Sequence, residues 1–372
     1  MSWKTHIVEC KKCLSENNIG DQKEYDKMLN ELKSKNDLNI ENLVFSGGGM
    51  RCVGYLGTIF VLEELKLIDK IIRFSGTSGG SIFATLCSMR YSTDDLYDYV
   101  SQDQSKYLDR QCVFFNWWYN LFYGNFGIYR GKVLENEIKD LINKKILKDF
   151  PNSGIINPTF KELNELYSTE LIVIATNLST MSATYFSHKY TPDVPVYLAV
   201  RMSSAIPGCF ESVVYNNERY IDGGLSENYP MDLFFYSNKY VSDYKDAEKK
   251  TMGVALLASS VYITKGIDRY ELENKVSTPI NNSCDFLTSI VDFVSNQNFE
   301  DEMTLIDGIK PGAFMECTIP AYTPCIVTSD FGATLNTKLD TISVLKYLTI
   351  KYLYEKQNKI SIDEQKQTEL SQ

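Results

Sequence analysis

The sequence predicts an α/β fold with a mainly parallel central sheet, and three observations predict it. The apolar strand Asn42-Leu43-Val44-Phe45 runs into Gly47-Gly48-Gly49 and then into a helical pattern. A second apolar run, residues 71–75, enters Gly76-Thr77-Ser78-Gly79-Gly80 and another helical pattern. Further strand-like runs follow at residues 171–175, 219–221 and 252–258. Strands alternating with helices, with glycines at each strand-to-helix turn, describe parallel βα units.

Each element has its own signal. Leu56, Ile59, Phe60, Leu62 and Leu65 recur at helical spacing and predict a helix over 55–67. Residues 78–89 predict the next helix, and residues 340–354 one near the C-terminus. Residues 1–40 are polar, with scattered apolar positions such as Leu14, Met28, Leu29 and Leu32, and read as one or two short helices docked loosely. Residues 356–372 read as a polar, frayed tail. The expected organisation is an N-terminal extension (1–40), one principal domain (41–355) and the tail. Residues 113–129, VFFNWWYNLFYGNFGIY, are unusually aromatic. They fit either core packing or a cap that touches acyl chains at a lipid–water interface, where Trp and Tyr are favoured.

Composition narrows the function. The chain has 372 residues, 44% hydrophobic and 23% charged, with a net charge of -10. That balance disfavours nucleic acid, whose binding depends on basic groups neutralising phosphates, and it disfavours general electrostatic attraction to anionic membranes. The N-terminus lacks an apolar core of signal-peptide length, and no uncharged run is long enough to span a bilayer. An intracellular, cytoplasmic setting is therefore expected, with the nine cysteines as reduced thiols. Cys10-Lys11-Lys12-Cys13 has C-x-x-C spacing, but no second pair follows at zinc-ribbon spacing, so no metal is expected.

Three stretches carry chemistry. Gly47-Gly48-Gly49 follows a strand and precedes a helix, where backbone N–H groups can approach an anion closely. A dinucleotide fingerprint would need glycine at Cys52, and a phosphate loop would need Gly-Lys-Ser/Thr where Gly54 is followed by Tyr55-Leu56. An oxyanion formed during acyl transfer remains. Gly76-Thr77-Ser78-Gly79-Gly80 matches the G-x-S-x-G nucleophile elbow. One βα unit separates the two turns, which places both at the same edge of a parallel sheet. Ser78 then needs a proton acceptor. The two histidines are poor candidates: His6 lies in the polar N-terminal segment, and His188 follows a strand-like run without a distinctive setting. Asp222-Gly223-Gly224, after Tyr220-Ile221, offers a carboxylate that a sharp turn can aim at that same edge. A carboxylate is a weak base in water but gains proton affinity when buried.

Together these stretches resemble the patatin-like phospholipase family. Its G-G-G-x-R-G loop is similar to Gly47-Gly48-Gly49-Met50-Arg51-Cys52, its elbow to Gly76 through Gly80, and its D-G-G motif to Asp222-Gly223-Gly224. Arg201-Met202-Ser203-Ser204-Ala205-Ile206-Pro207 is similar to the helix that precedes the aspartate in such proteins. The resemblance covers about residues 41–230. It implies a three-layer α/β/α sandwich and hydrolysis of lipid acyl esters, of phospholipase A or lysophospholipase type, with no cofactor and no metal. It also implies Ser78 as nucleophile, Asp222 as base and Gly47, Gly48 and Gly49 as oxyanion donors. Arg51 would order the loop or sit near a lipid headgroup, and Gly76, Gly80, Gly223 and Gly224 would support the turns. The expected partner is a phospholipid or other acyl lipid, reached through apolar contact with a lipid interface. One departure is Cys52, where the family usually has glycine and where a positive φ would strain a cysteine. The alternative reading is a catalytically inactive lipid-binding protein on the same fold.

Overall fold

The computed structural model describes residues 2–35, 37–109, 126–236, 244–257 and 316–371, together with Ser289, Ile290 and Val294. Residues 113–125 of the aromatic stretch, Trp117 and Trp118 among them, lie outside the described residues. At its end, Tyr129 is buried against Phe210, with ring centroids 6.2 Å apart, while Phe126 is exposed.

The main sheet contains β1 (Asn42–Phe45), β2 (Arg73–Thr77), β4 (Glu170–Asn177), β5 (Ser182–Phe186), β7 (Val213–Tyr215), β8 (Glu218–Asp222), β9 (Thr251–Leu257) and β10 (Thr318–Tyr322). The short strands β3 (Gly127–Tyr129) and β6 (Gly208–Phe210) pair separately. In the sheet, β10, β9, β1, β2 and β4 are neighbours in that order, all parallel. β4 pairs antiparallel with β5 and β8, and β8 with β7. The predicted parallel sheet is thus present, with an antiparallel portion added beside β4.

Alternation along the strands builds two cores, one on each face. Leu43, Phe45, Leu171, Val173, Met252 and Val254 face one core. Helices Tyr55–Glu64, Gly79–Ser88, Lys132–Asp149, Val196–Ser203 and Leu335–Ser371 supply its other side. Val44, Ile172, Ile174, Ala255 and Leu257 face the second core, covered by Tyr229, Met231, Phe234, Phe235 and Ala247. Strands buried on both faces read as continuous apolar runs, which is why β1, β4 and β9 stood out in the sequence. The architecture is therefore helix, sheet, helix, with the heavier helical layer on the face of Phe45.

Both termini depart from expectation. The N-terminal extension is docked firmly. Tyr25, Met28 and Leu32, at helical spacing on Gln22–Ser34, are buried in the core that also takes in helix Leu335–Ser371. Asn17 Nδ2 donates to the Tyr322 carbonyl at 2.6 Å, and the Tyr322 N–H returns to Asn17 Oδ1 at 3.2 Å. His6 Nε2 lies 3.0 Å from Asp340 Oδ1. The C-terminal helix runs from Leu335 to Ser371 and takes in the residues expected to fray. The same docking joins Cys10 to Cys325 in a disulfide, which corrects the expectation of reduced thiols for this pair. Among the described residues, no helix is long and apolar enough to cross a membrane.

Candidate active site

The register of β4 positions the site. β2 pairs with residues 170–174 of β4, β5 with 173–177 and β8 with 175–177. A strand has two edges, so the overlaps place β5 on one edge and leave β2 and β8 to share the other. β2 ends with Thr77 opposite Ile174, and β8 ends with Asp222 opposite Ala175. Because β2 is parallel to β4 and β8 antiparallel, their carboxyl ends meet head to head. The residue after Thr77 is Ser78, and its Oγ donates to Asp222 Oδ2 at 2.6 Å.

Both chains must turn away where they meet. Ser78 does so with φ 52 and ψ -129, a left-handed conformation for a non-glycine residue. Such a conformation costs about 1–3 kcal/mol and persists where neighbours fix it. Here the Ser78 N–H donates to Ser203 Oγ at 2.8 Å, and the Ser78 carbonyl accepts from Ser81 N at 2.9 Å and Ser81 Oγ at 2.6 Å. The following helix starts hard against the end of β1: a Cβ on Gly80 would collide with the Ser46 and Phe45 carbonyls, and one on Gly76 with Gly80 itself. On the other side, a Cβ on Gly223 would collide with the Ile174 carbonyl, so only glycine lets the chain leave β8 over β4.

Asp222 is almost wholly buried, at 1% exposure, and Ser78 is 6% exposed. The second carboxylate oxygen, Oδ1, accepts the Gly224 N–H at 2.8 Å. The Asp222 N–H donates to the Ala205 carbonyl at 2.9 Å, and Thr176 Oγ1 donates to the Asp222 carbonyl at 2.8 Å. The carboxylate is thus held on both sides, with one oxygen left for Ser78.

The glycine-rich loop lies alongside. A Cβ on Gly47 would fall 3.2 Å from Ser78 Cβ. The expectation for Gly47 needs one correction: its N–H donates to the Asn228 carbonyl at 3.1 Å, so that amide is already committed. The amides of Gly48 and Gly49 have no hydrogen-bond acceptor among the described residues. Gly49 has φ +53 and packs on the Thr328 carbonyl, which accepts the Met50 N–H at 3.0 Å. Arg51 is buried and donates through Nη2 to Thr328 Oγ1. Thr328 lies in the loop after β10, so this contact ties the glycine-rich loop to that segment. Cys52 lies in the 3-10 helix Gly49–Gly54 with a negative φ, so the departure from glycine causes no backbone strain. Its buried sulfur fills the space beside Gly79 and Gly48.

Neither histidine joins the site. His6 belongs to the N-terminal docking described above. His188 interacts with Glu170, at the amino end of β4, whereas Ser78 and Asp222 gather near Ala175. Burial pulls the His188 pKa below its ordinary value, with Glu170 acting in the opposite direction. Sequence reasoning had no means to find Asn228 or Thr328, which lie far along the chain. Ser203 stood within a recognised block, but only the fold shows that its hydroxyl meets Ser78.

This geometry accompanies a family match. The family model for patatin-like phospholipase matches residues 43–235, and the chain belongs to that family. An uncharacterized protein of Acanthamoeba polyphaga mimivirus, R571, is 28% identical over 69% of this chain and 77% of its own length. Protein 463L of Invertebrate iridescent virus 6, described as a probable lipid hydrolase, is 33% identical over 54% of this chain and 65% of its own. In fold, the chain is similar to VipD from Legionella pneumophila, with a TM-score of 0.51 at 18% identity, over 85% of this chain and 67% of that one.

Proposed function

We propose that this protein hydrolyses acyl esters of phospholipids or related lipids through a Ser78–Asp222 dyad. The observation that carries the reading is the 2.6 Å hydrogen bond from Ser78 Oγ to a buried carboxylate. A serine hydroxyl needs a proton acceptor to become a nucleophile, and Asp222 is placed to be one. Ser78 attacks the ester carbonyl as Asp222 takes its proton. The Gly48 and Gly49 amides face no competing acceptor among the described residues and serve as donors to the developing oxyanion. Collapse of the tetrahedral intermediate transfers the proton from Asp222 to the leaving alcohol and leaves an acyl-Ser78 ester. Water, deprotonated by Asp222, then releases the fatty acid.

The Gly224 N–H stabilises the charged carboxylate between turns, while Ser203 keeps the elbow in its left-handed conformation. The substrate class follows from the family and from the description of the viral relative as a lipid hydrolase. Fatty-acid release from phosphatidylcholine vesicles by the full-length protein tests the reading. Release that disappears in Ser78→Ala supports it. Release unaffected by that substitution would remove Ser78 as the nucleophile, and none from folded wild-type protein over a range of phospholipid and lysophospholipid substrates favours the lipid-binding alternative.

A further inference from the structure

Cys10 and Cys13 flank the start of helix Lys11–Glu16, and Cys325 follows β10, yet their three sulfurs all lie within 4.8 Å of one another. Cys10 and Cys325 form the disulfide, and Cys13 Sγ lies 2.9 Å from Cys325 Sγ. A disulfide with a third sulfur beside one of its atoms has the attacker, central atom and leaving group of thiol–disulfide exchange in place. Non-covalent contacts hold the partners together independently: Asn17 bonds to the Tyr322 backbone in both directions.

The cluster has a structural route to the glycine-rich loop. Three positions after Cys325, Thr328 accepts the Met50 N–H through its carbonyl and the Arg51 guanidinium through its hydroxyl. The same carbonyl lies against Gly49. A covalent bond at Cys325 therefore tethers the segment on which Gly49, Met50 and Arg51 rest.

We infer that Cys10, Cys13 and Cys325 form a thiol–disulfide exchange site, open to small dithiols, whose state sets the rigidity of the loop at Gly49–Arg51. In the internal step, the Cys13 thiolate attacks Cys325 Sγ. The Cys13–Cys325 bond forms as the Cys10–Cys325 bond breaks, and Cys10 leaves as a thiolate that takes up the proton Cys13 lost. No net oxidation occurs. In the reductive step, a dithiol supplies two electrons and two protons, becomes a cyclic disulfide and leaves Cys10 and Cys325 as thiols. Burial pushes the Cys13 thiol up to about 11, with Asp340 also raising it and the Cys325 backbone and Lys12 lowering it. Cys13 therefore rests as the thiol, which makes the internal step slow at neutral pH.

The test uses the full-length protein purified without reductant, with free thiols alkylated before tryptic mapping. Lys11 and Lys12 separate Cys10 from Cys13, so trypsin distinguishes the two pairings. Wild type is expected to show Cys10–Cys325, and Cys10→Ser incubated with oxidised glutathione is expected to show Cys13–Cys325. Dithiothreitol should expose all three thiols and speed hydrogen exchange at the Met50 amide by about tenfold. Three results would overturn the inference: Cys10→Ser with Cys13 and Cys325 both alkylated, Met50 exchange unchanged by reduction, or a metal ion held by all three thiols in native mass spectra. None of these readouts depends on hydrolysis, so their failure is distinct from failure of the hydrolase reading.

Discussion

Ser78 and Asp222 are 144 positions apart in the chain, and their side chains meet at 2.6 Å because β2 and β8 end against each other on one edge of β4. The contact is built into the sheet register and not into a flexible loop. Thr77 and Asp222 face successive residues of β4, and each chain then turns away through glycine. Sites built on strand ends in this way hold their groups closely, which matters when small misplacements cost large factors in rate.

Replacing Asp222 with Asn separates positioning from base chemistry. The amide retains an oxygen for the Gly224 N–H and a group of the same shape beside Ser78, but it cannot accept the proton. Positioned general acid–base catalysis contributes about 10²–10⁴-fold. Steady-state hydrolysis of a soluble short-chain ester should show kcat lowered by about a thousandfold, within that range, with the melting temperature little changed. Activity within a few-fold of wild type would remove Asp222 from the proton path.

In the proposed mechanism, Ser203 would act on the reaction through Ser78, whose N–H it accepts. Ser203→Ala removes the acceptor for the Ser78 N–H, leaving a buried donor unpaired at a cost of about 1–3 kcal/mol. The elbow then loses a restraint on its left-handed conformation. The expected result is a kcat about tenfold lower, the equivalent of 1.4 kcal/mol within that range, with KM unchanged and partial recovery in Ser203→Thr. A change in KM alone, or equal loss in the Thr variant, would make the role of Ser203 purely structural.

Restoring the family's glycine at position 52 should not improve the protein. Cys52 has helical backbone geometry and fills the space next to Gly79. Glycine in a helical position costs about 1 kcal/mol relative to a better helix former. Thermal unfolding of Cys52→Gly is therefore expected at a lower temperature, with hydrolysis no faster than wild type. A more active and more stable variant would show that cysteine at this position impairs the loop.

Much of the candidate site was legible in the sequence because it rests on backbone shapes that few residues permit. Gly47–Gly49, the elbow around Ser78 and Asp222-Gly223-Gly224 advertise turns, and β1, β4 and β9 advertise themselves as apolar runs, whereas the run expected at residues 71–75 starts two residues before the observed strand β2, Arg73–Thr77. What stayed hidden was pairing between remote segments. Nothing local marks β8 as the strand that continues β2 along β4, or Asn228 as the acceptor that occupies the Gly47 amide. The firm docking of residues 1–40 was hidden for the same reason. Tyr25, Met28 and Leu32 make a narrow apolar stripe on a polar helix, and its partner, helix Leu335–Ser371, lies at the other end of the chain. The pairing of Cys10 with Cys325, 315 residues apart, could not follow from spacing.

The most direct measurement is mass spectrometric mapping of the full-length protein after reaction with a fluorophosphonate, which reacts fastest with an activated serine. The account predicts a single stoichiometric adduct on Ser78, lost in Ser78→Ala and strongly slowed in Asp222→Asn. Folded wild-type protein that takes up no label at Ser78, or labels there equally fast without the Asp222 carboxylate, would contradict it.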